Sequence, residues 1–170
     1  MAIEDDIQQK KFTSEYQKMV INILYTSSWL NERQSLVFKE FGLTAPQYNV
    51  LRILRGQHPK PSTINLIIER MLDRMSNASR IVDKLEKKKL VIRKQCPSDR
   101  RAVDVIISEA GLELLYRIDP VLNNWKKELD VLSSEEARTL NELLDKVRQS
   151  TLFEEAINNS GQGTEADVNR

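Results

Sequence analysis

Between Phe12 and Phe41 the apolar residues Tyr16, Met19, Val20, Ile23, Leu24, Leu30, Val37 and Phe41 recur at steps dominated by three and four. That spacing predicts one long amphipathic helix. Such a helix is long for a chain of 170 residues, and its apolar stripe needs a surface to pack on. A partner chain would supply it. The rest of the inventory agrees with a helical, folded chain. Five glycines and five prolines suit helices with few long loops, and 40% hydrophobic residues with a net charge of +1 exclude wholesale disorder. The length fits one domain of roughly 100–200 residues.

Several function classes drop out on residue counts. Cys96 is the only cysteine, so no intrachain disulfide forms, and with His58 as the only histidine no zinc finger or His-rich zinc site can be built. Gly42, Gly56, Gly111, Gly161 and Gly163 make neither a P-loop nor a dinucleotide fingerprint. No run approaches ~18 apolar residues, the length a membrane span needs. The start, Met1 to Asp6, is acidic and lacks the layout of a signal peptide. No acid-base pair or nucleophile constellation is present. The expectation is a cytoplasmic non-enzyme with no cofactor, no metal and no membrane partner.

Gly42 stops the first helix, and Thr44, Pro46 and Gln47 start the next as a capping box, with Tyr48, Val50, Leu51, Ile53 and Leu54 on its buried side. Residues 56–61, with two prolines, form a turn that holds His58 at the surface. Ser62 is expected to cap a short helix carrying Ile64, Ile67, Ile68 and Met71. Ser76 is expected to cap another, with Ala78, Ile81, Val82 and Leu85 on one face and Asn77, Ser79, Arg80, Lys84, Lys87 and Lys88 on the other. Two short helices across a tight junction are a helix-turn-helix layout. Two runs rich in β-branched residues, 90–94 and 102–107, bracket residues 96–101 as a β-hairpin with a basic tip. Ser108 then caps a helix through Leu112, Leu115, Ile118, Val121, Leu122 and Trp125, with Pro120 predicting a kink or break. Ser133 and Glu136 make a second capping box for a helix with Ala137, Leu140, Leu143, Leu144 and Val147 inward.

The near-zero net charge hides a partition. From Arg74 to Arg101 there are ten basic residues against three acidic, so this segment carries +7 and the other 142 residues carry −6. A run such as Lys87, Lys88 and Lys89 is equally explained as a solvated helix end. Its coincidence with the helix-turn-helix spacing and the basic hairpin points to double-stranded DNA. On that reading Ser76, Asn77, Ser79 and Arg80 lie at the end of a helix that fits the major groove. Asn77 offers an amide to adenine, Arg80 a fork to guanine or phosphate, and Lys84 a phosphate contact. Ser62 suits a phosphate through its hydroxyl and neighbouring amides. Arg100 or Arg101 reaches the minor groove. Asp99 either orients an arginine or is a turn residue.

The runs LTAPQYNVL from Leu43 to Leu51, SNASRIVDKLEKKKLV from Ser76 to Val91, DRRAV from Asp99 to Val103 and ISEAG from Ile107 to Gly111 resemble the MarR family of winged helix-turn-helix transcriptional regulators. The resemblance implies a mainly α fold with a small β-hairpin wing and an obligate homodimer interlocked through its N- and C-terminal helices. It also implies a palindromic operator, a repressor, and release by a small, often aromatic, effector or by an oxidant. The matching organisation is a dimerisation helix at 1–41, a winged helix-turn-helix lobe at 42–109, C-terminal dimerisation helices at 110–157 and a disordered tail at 158–170. The recognition helix spans about 76–89 and the wing about 91–107. In the family the last arginine of the Asp-Arg-Arg motif enters the minor groove, here Arg101 held by Asp99. Tyr25, Trp29 and Tyr48 lie on helices that line the family's ligand pocket, though aromatic residues at such spacing are more often core. Cys96 is either a thiol sensor or a passive hairpin residue.

Two departures stand out. The family usually has Gly where this chain has Lys89, and Asn65 to Ile68 blurs the usual Leu-Ala pair. Lys89 implies either a cost of about 1 kcal/mol or a different helix ending. The alternative to a regulator is a winged-helix protein-interaction or dimerisation module without DNA binding. Ser76, Asn77, Arg80 and Arg101 favour the regulator.

Overall fold

The computed structural model describes residues 2–95, 103–127 and 129–149. They divide between two compact units with the boundary in sequence after Asn124. The first unit opens with a single turn, α1 (Ile3–Asp6), followed by the long helix α2 (Glu15–Glu40). Ser14 caps α2 by accepting from the Gln17 amide at 3.2 Å. The periodicity from Phe12 thus describes one continuous helix with a slightly later start. Only Phe38 of α2 is fully buried, whereas Tyr16, Val20, Leu24 and Leu36 are exposed.

Gly42 ends the turn after α2 at φ +66°, a left-handed backbone that glycine adopts without penalty. Thr44 and Gln47 form the expected capping box at the head of α3 (Ala45–Gln57), whose Val50, Leu51 and Leu54 enter the core. Next come β1 (Ser62–Thr63), α4 (Ile64–Arg70), α5 (Ala78–Lys87), β2 (Val91–Gln95) and β3 (Val103–Ile107). The three strands form an antiparallel sheet in the order β1-β3-β2. Ser62 pairs with Val105, and Val91 with Ile107. The core beneath the sheet is Val50, Leu51, Leu54, Ile67, Val82, Leu85, Val105, Ile107, Leu115 and Ile118.

The last two residues of that core come from α6 (Glu109–Lys127), which runs unbroken through Pro120. Ser108 accepts from the Gly111 amide at 3.1 Å, the expected cap, and its hydroxyl donates to the Lys89 carbonyl at 2.7 Å. Gly111 is required here: a β-carbon would lie 2.7 Å from Ile107 Cγ1 and would also press on the Leu90 carbonyl. Arg55 grips Asp119 through two contacts, 2.7 and 3.4 Å, linking α3 to α6. In the second unit, Ser133 and Glu136 build the expected capping box for α7 (Ser134–Arg148). Its apolar stripe does not turn inward. Leu140, Leu143 and Val147 are exposed, Leu143 to 55%. The fold is therefore mainly α with a small β wing, as expected.

Candidate nucleic-acid interface

The expected recognition element is α5, and its boundaries are tighter than the residue pattern suggested. Asn77, not Ser76, caps it, with Oδ1 accepting from the Arg80 amide at 3.0 Å. That leaves the Asn77 amide NH2 for an outside acceptor. Ser76 turns away and donates to Asp73 Oδ2 at 2.6 Å. Asp73 also accepts from the Met75 amide at 3.0 Å, and the Ser76 hydroxyl and this amide together hold its carboxyl below the ordinary value near 3.8. The junction between α4 and α5 is seven residues, Met71–Asn77, rather than tight. It is braced from outside by Asn49, whose Oδ1 accepts from the Leu72 amide at 3.0 Å.

Ser62 requires a second correction of the same kind. It lies in β1, only 1% exposed, and its hydroxyl has no hydrogen-bond partner among the described residues. Thr63 caps α4 instead, accepting from the Leu66 amide at 3.2 Å. The sheet pairing with Val105 pulls Ser62 one residue out of the capping position and into the core. A phosphate contact through the Ser62 hydroxyl is not available in this arrangement.

Ser79, Arg80 and Lys84 are exposed on α5. The two acids of that helix are occupied internally: Arg93 of β2 forms an ion pair with Asp83 and lies 3.9 Å from Glu86. Nothing in the residue pattern linked these groups. The lysine run also separates into distinct roles. Lys88 donates to the Gly42 carbonyl and, at 3.2 Å, to Gln47 Oε1, joining the end of α5 to the start of α3. Lys89 sits at φ +60°, with its amide bonded to the Glu86 carbonyl at 2.8 Å and the Leu90 amide to the Leu85 carbonyl at 3.0 Å. That pair of bonds is a Schellman ending, which ordinarily uses glycine.

β2 and β3 pair over their full length, from Val91 with Ile107 to Gln95 with Val103. β2 is buried at Val91 and exposed at Lys94 and Gln95, so the far end of this strand pair lies at the surface. Cys96, Asp99, Arg100 and Arg101 lie outside the described residues. Of the three aromatic residues, Trp29 has the Arg33 guanidinium over its ring at 4.6 Å. Tyr48 stacks on Phe38 at 4.3 Å between centroids and accepts from Arg52 at 3.1 Å. Tyr25 is exposed on α2, one turn before Trp29. Among the described residues no group of three or more His, Cys, Asp or Glu could hold a metal, and no helix is long and apolar enough to cross a membrane.

The MarR family profile matches residues 43–103, from the head of α3 through the hairpin. HTH-type transcriptional regulator MhqR of Bacillus subtilis (strain 168) is 32% identical over 133 residues, covering 76% of this chain and 87% of the relative. The chain belongs to the MarR family. A MarR transcription factor from Planctomyces limnophilus has the same fold at 31% identity and a TM-score of 0.61, covering 79% of this chain and 98% of that one. The MarR family regulator Sco3205 from Streptomyces coelicolor, solved in complex with DNA, aligns at 24% identity and a TM-score of 0.68, covering 83% and 91%. The chain is thus a transcriptional regulator with a MarR winged-helix DNA-binding fold, and its relatives are regulators rather than enzymes. Against the MarR pattern, Lys89 keeps the helix ending that glycine usually makes.

Proposed function

We propose that this chain is a homodimeric, sequence-specific DNA-binding repressor. The N-terminal part of α5 enters the major groove, and the hairpin carries Arg101, oriented by Asp99, into the adjacent minor groove. The observation that carries the reading is the division of charge on α5. Arg93 occupies Asp83 and Glu86, so that Arg80 and Lys84 face outward within a segment of net +7. Asn77 and Ser79 contribute hydrogen-bonding groups at the same helix end. Ser76 contributes indirectly, by fixing Asp73. The fold it shares with a chain solved on DNA supports the same reading.

Dimerisation is supported by large apolar side chains exposed among the described residues: Tyr16, Val20 and Leu24 along one face of α2, Leu36 on another, and Leu140, Leu143 and Val147 on α7. Residues 1–41 and 110–157 would then be the dimerisation helices, flanking a lobe at 42–109. A two-fold dimer calls for a palindromic operator, and one seated there would exclude polymerase. Tyr25 and Trp29 are the residues offered to a small aromatic effector. Tyr48, stacked on Phe38, would contribute as a wall.

A gel shift on the chain's own upstream DNA at two salt concentrations tests this reading. Binding should fall steeply as salt rises, in proportion to the phosphates neutralised. Arg101→Ala should weaken binding while light scattering still reads a dimer. An Arg101→Ala protein that binds as tightly as the parent refutes the wing assignment, and a monomer at micromolar concentration refutes the architecture.

A further inference from the structure

The loop between α4 and α5 carries an anomaly of burial. Leu72 is 91% exposed and Met75 94%, although Met71 beside them is buried. A solvent-facing turn ordinarily shows small polar residues. Neither side chain hangs on loose backbone. The Leu72 amide is held by Asn49, the Met75 amide by Asp73, and Ser76 closes on the same Asp73 carboxylate. These bonds fix the loop with two large apolar groups, three residues apart, directed outward. Arg74 between them is exposed, and Asn77, Ser79 and Arg80 follow immediately. Asp73, the one acid of the loop, already has its two oxygens engaged. Asp73 stays charged, but the exposed Arg74, Arg80 and Lys84 outnumber it, so this surface favours a polyanion that also offers apolar groups to Leu72 and Met75.

DNA meets that description in one way: on the major-groove edges of the bases, the thymine C5-methyl is the apolar group. Methionine, unbranched and polarisable, adapts its shape to such a target. We propose that Leu72 and Met75 read thymine, contacting C5-methyl groups beside the bases reached by α5. They would be specificity determinants that make no hydrogen bond. Asn49 and Asp73 are the positioning residues that hold the loop. The inference rests on the DNA-binding reading above and deepens it.

The test starts from a duplex selected out of a random-sequence library by the full chain. Each recurrent thymine is then replaced by deoxyuridine, which removes the methyl and leaves the base-pairing edge intact. The parent should bind the deoxyuridine duplex about fourfold more weakly per contacted methyl, the equivalent of one buried methylene-sized group. Met75→Gln and Leu72→Gln should bind the thymine duplex more weakly by a similar factor and lose discrimination between the two duplexes. Their salt dependence should match the parent's, since no phosphate contact is lost. Both side chains are exposed, so their thermal melting should also match. A parent that binds both duplexes equally, or variants that still discriminate, overturns the inference while leaving DNA binding intact. A chain that selects no duplex overturns the DNA-binding reading, and this inference with it.

Discussion

Lys89→Gly should leave this protein more stable than Lys89→Ala does. Lys89 holds a left-handed backbone at φ +60°, which costs a residue with a β-carbon roughly 1–2 kcal/mol. Glycine removes that strain but returns about 0.5–1 kcal/mol as extra freedom of the unfolded chain. It also removes a cation from the end of α5, where the helix dipole favours one by about 0.3–1 kcal/mol. The cleaner quantity is the difference between Lys89→Gly and Lys89→Ala, because both lose the charge and only alanine keeps the strain. That difference should be about 1 kcal/mol in favour of glycine, or roughly 2–4 °C in Tm for a chain of this size. The two Schellman bonds, from Lys89 to Glu86 and from Leu90 to Leu85, use backbone atoms alone and survive either change. Circular-dichroism melts at matched protein concentration, with urea titrations alongside, provide the readout. An alanine variant as stable as the glycine variant would refute the assignment of strain to this residue.

Three further outcomes follow from local geometry. Thr63→Ala should cost about 1 kcal/mol by removing the α4 cap, whereas Ser62→Ala, which deletes a buried hydroxyl without a partner, should be neutral or slightly stabilising. Equal losses in urea titrations would restore Ser62 as the cap. Gly111→Ala should destabilise by about 1–3 kcal/mol, because the added carbon meets Ile107 and the Leu90 carbonyl, and an unchanged melt would show that α6 can shift aside. Asp73 titrates below its ordinary range, so its bonds to the loop persist above the unfolded pKa and are lost as pH falls through the lower folded value. Ser76→Ala should move that carboxyl back upward in a carbon-13 NMR titration, and an unmoved resonance would exclude the Ser76 hydroxyl as the cause.

What could be read from the residues alone was the local and periodic part. The Thr44–Gln47 and Ser133–Glu136 boxes are complete within four residues, and both formed. The errors of one position at Ser62 and Ser76 share a cause. In each case a second capping residue follows directly, Thr63 or Asn77, and a contact outside the capping pattern decides between them, distant for Ser62 and local for Ser76. For Ser62 it is β3, 43 positions further on, and a two-residue strand has no pattern of its own to announce it. For Ser76 it is the ordering of the loop around Asp73. The α7 leucines were legible as a stripe, but periodicity cannot say whether the chain itself covers that stripe, and Leu140 and Leu143 are exposed. The pairing of Arg93 with Asp83 and the reach of Lys88 to Gly42 are products of the fold, and no short-range spacing encodes them.

The Lys88 bonds bear on re-engineering. Changing the operator preference of such a protein usually means grafting a foreign helix in place of α5. On this chain only Ser79, Arg80, Lys84 and Lys87 are open to exchange at will. Val82 and Leu85 belong to the core, Asp83 and Glu86 answer Arg93, and Lys88 is fastened to Gly42 and Gln47. A graft that carries its own residue at 88 would arrive detached from the head of α3 and, through Gly42, from the end of α2. The transplantable unit is therefore four outward positions, not the helix.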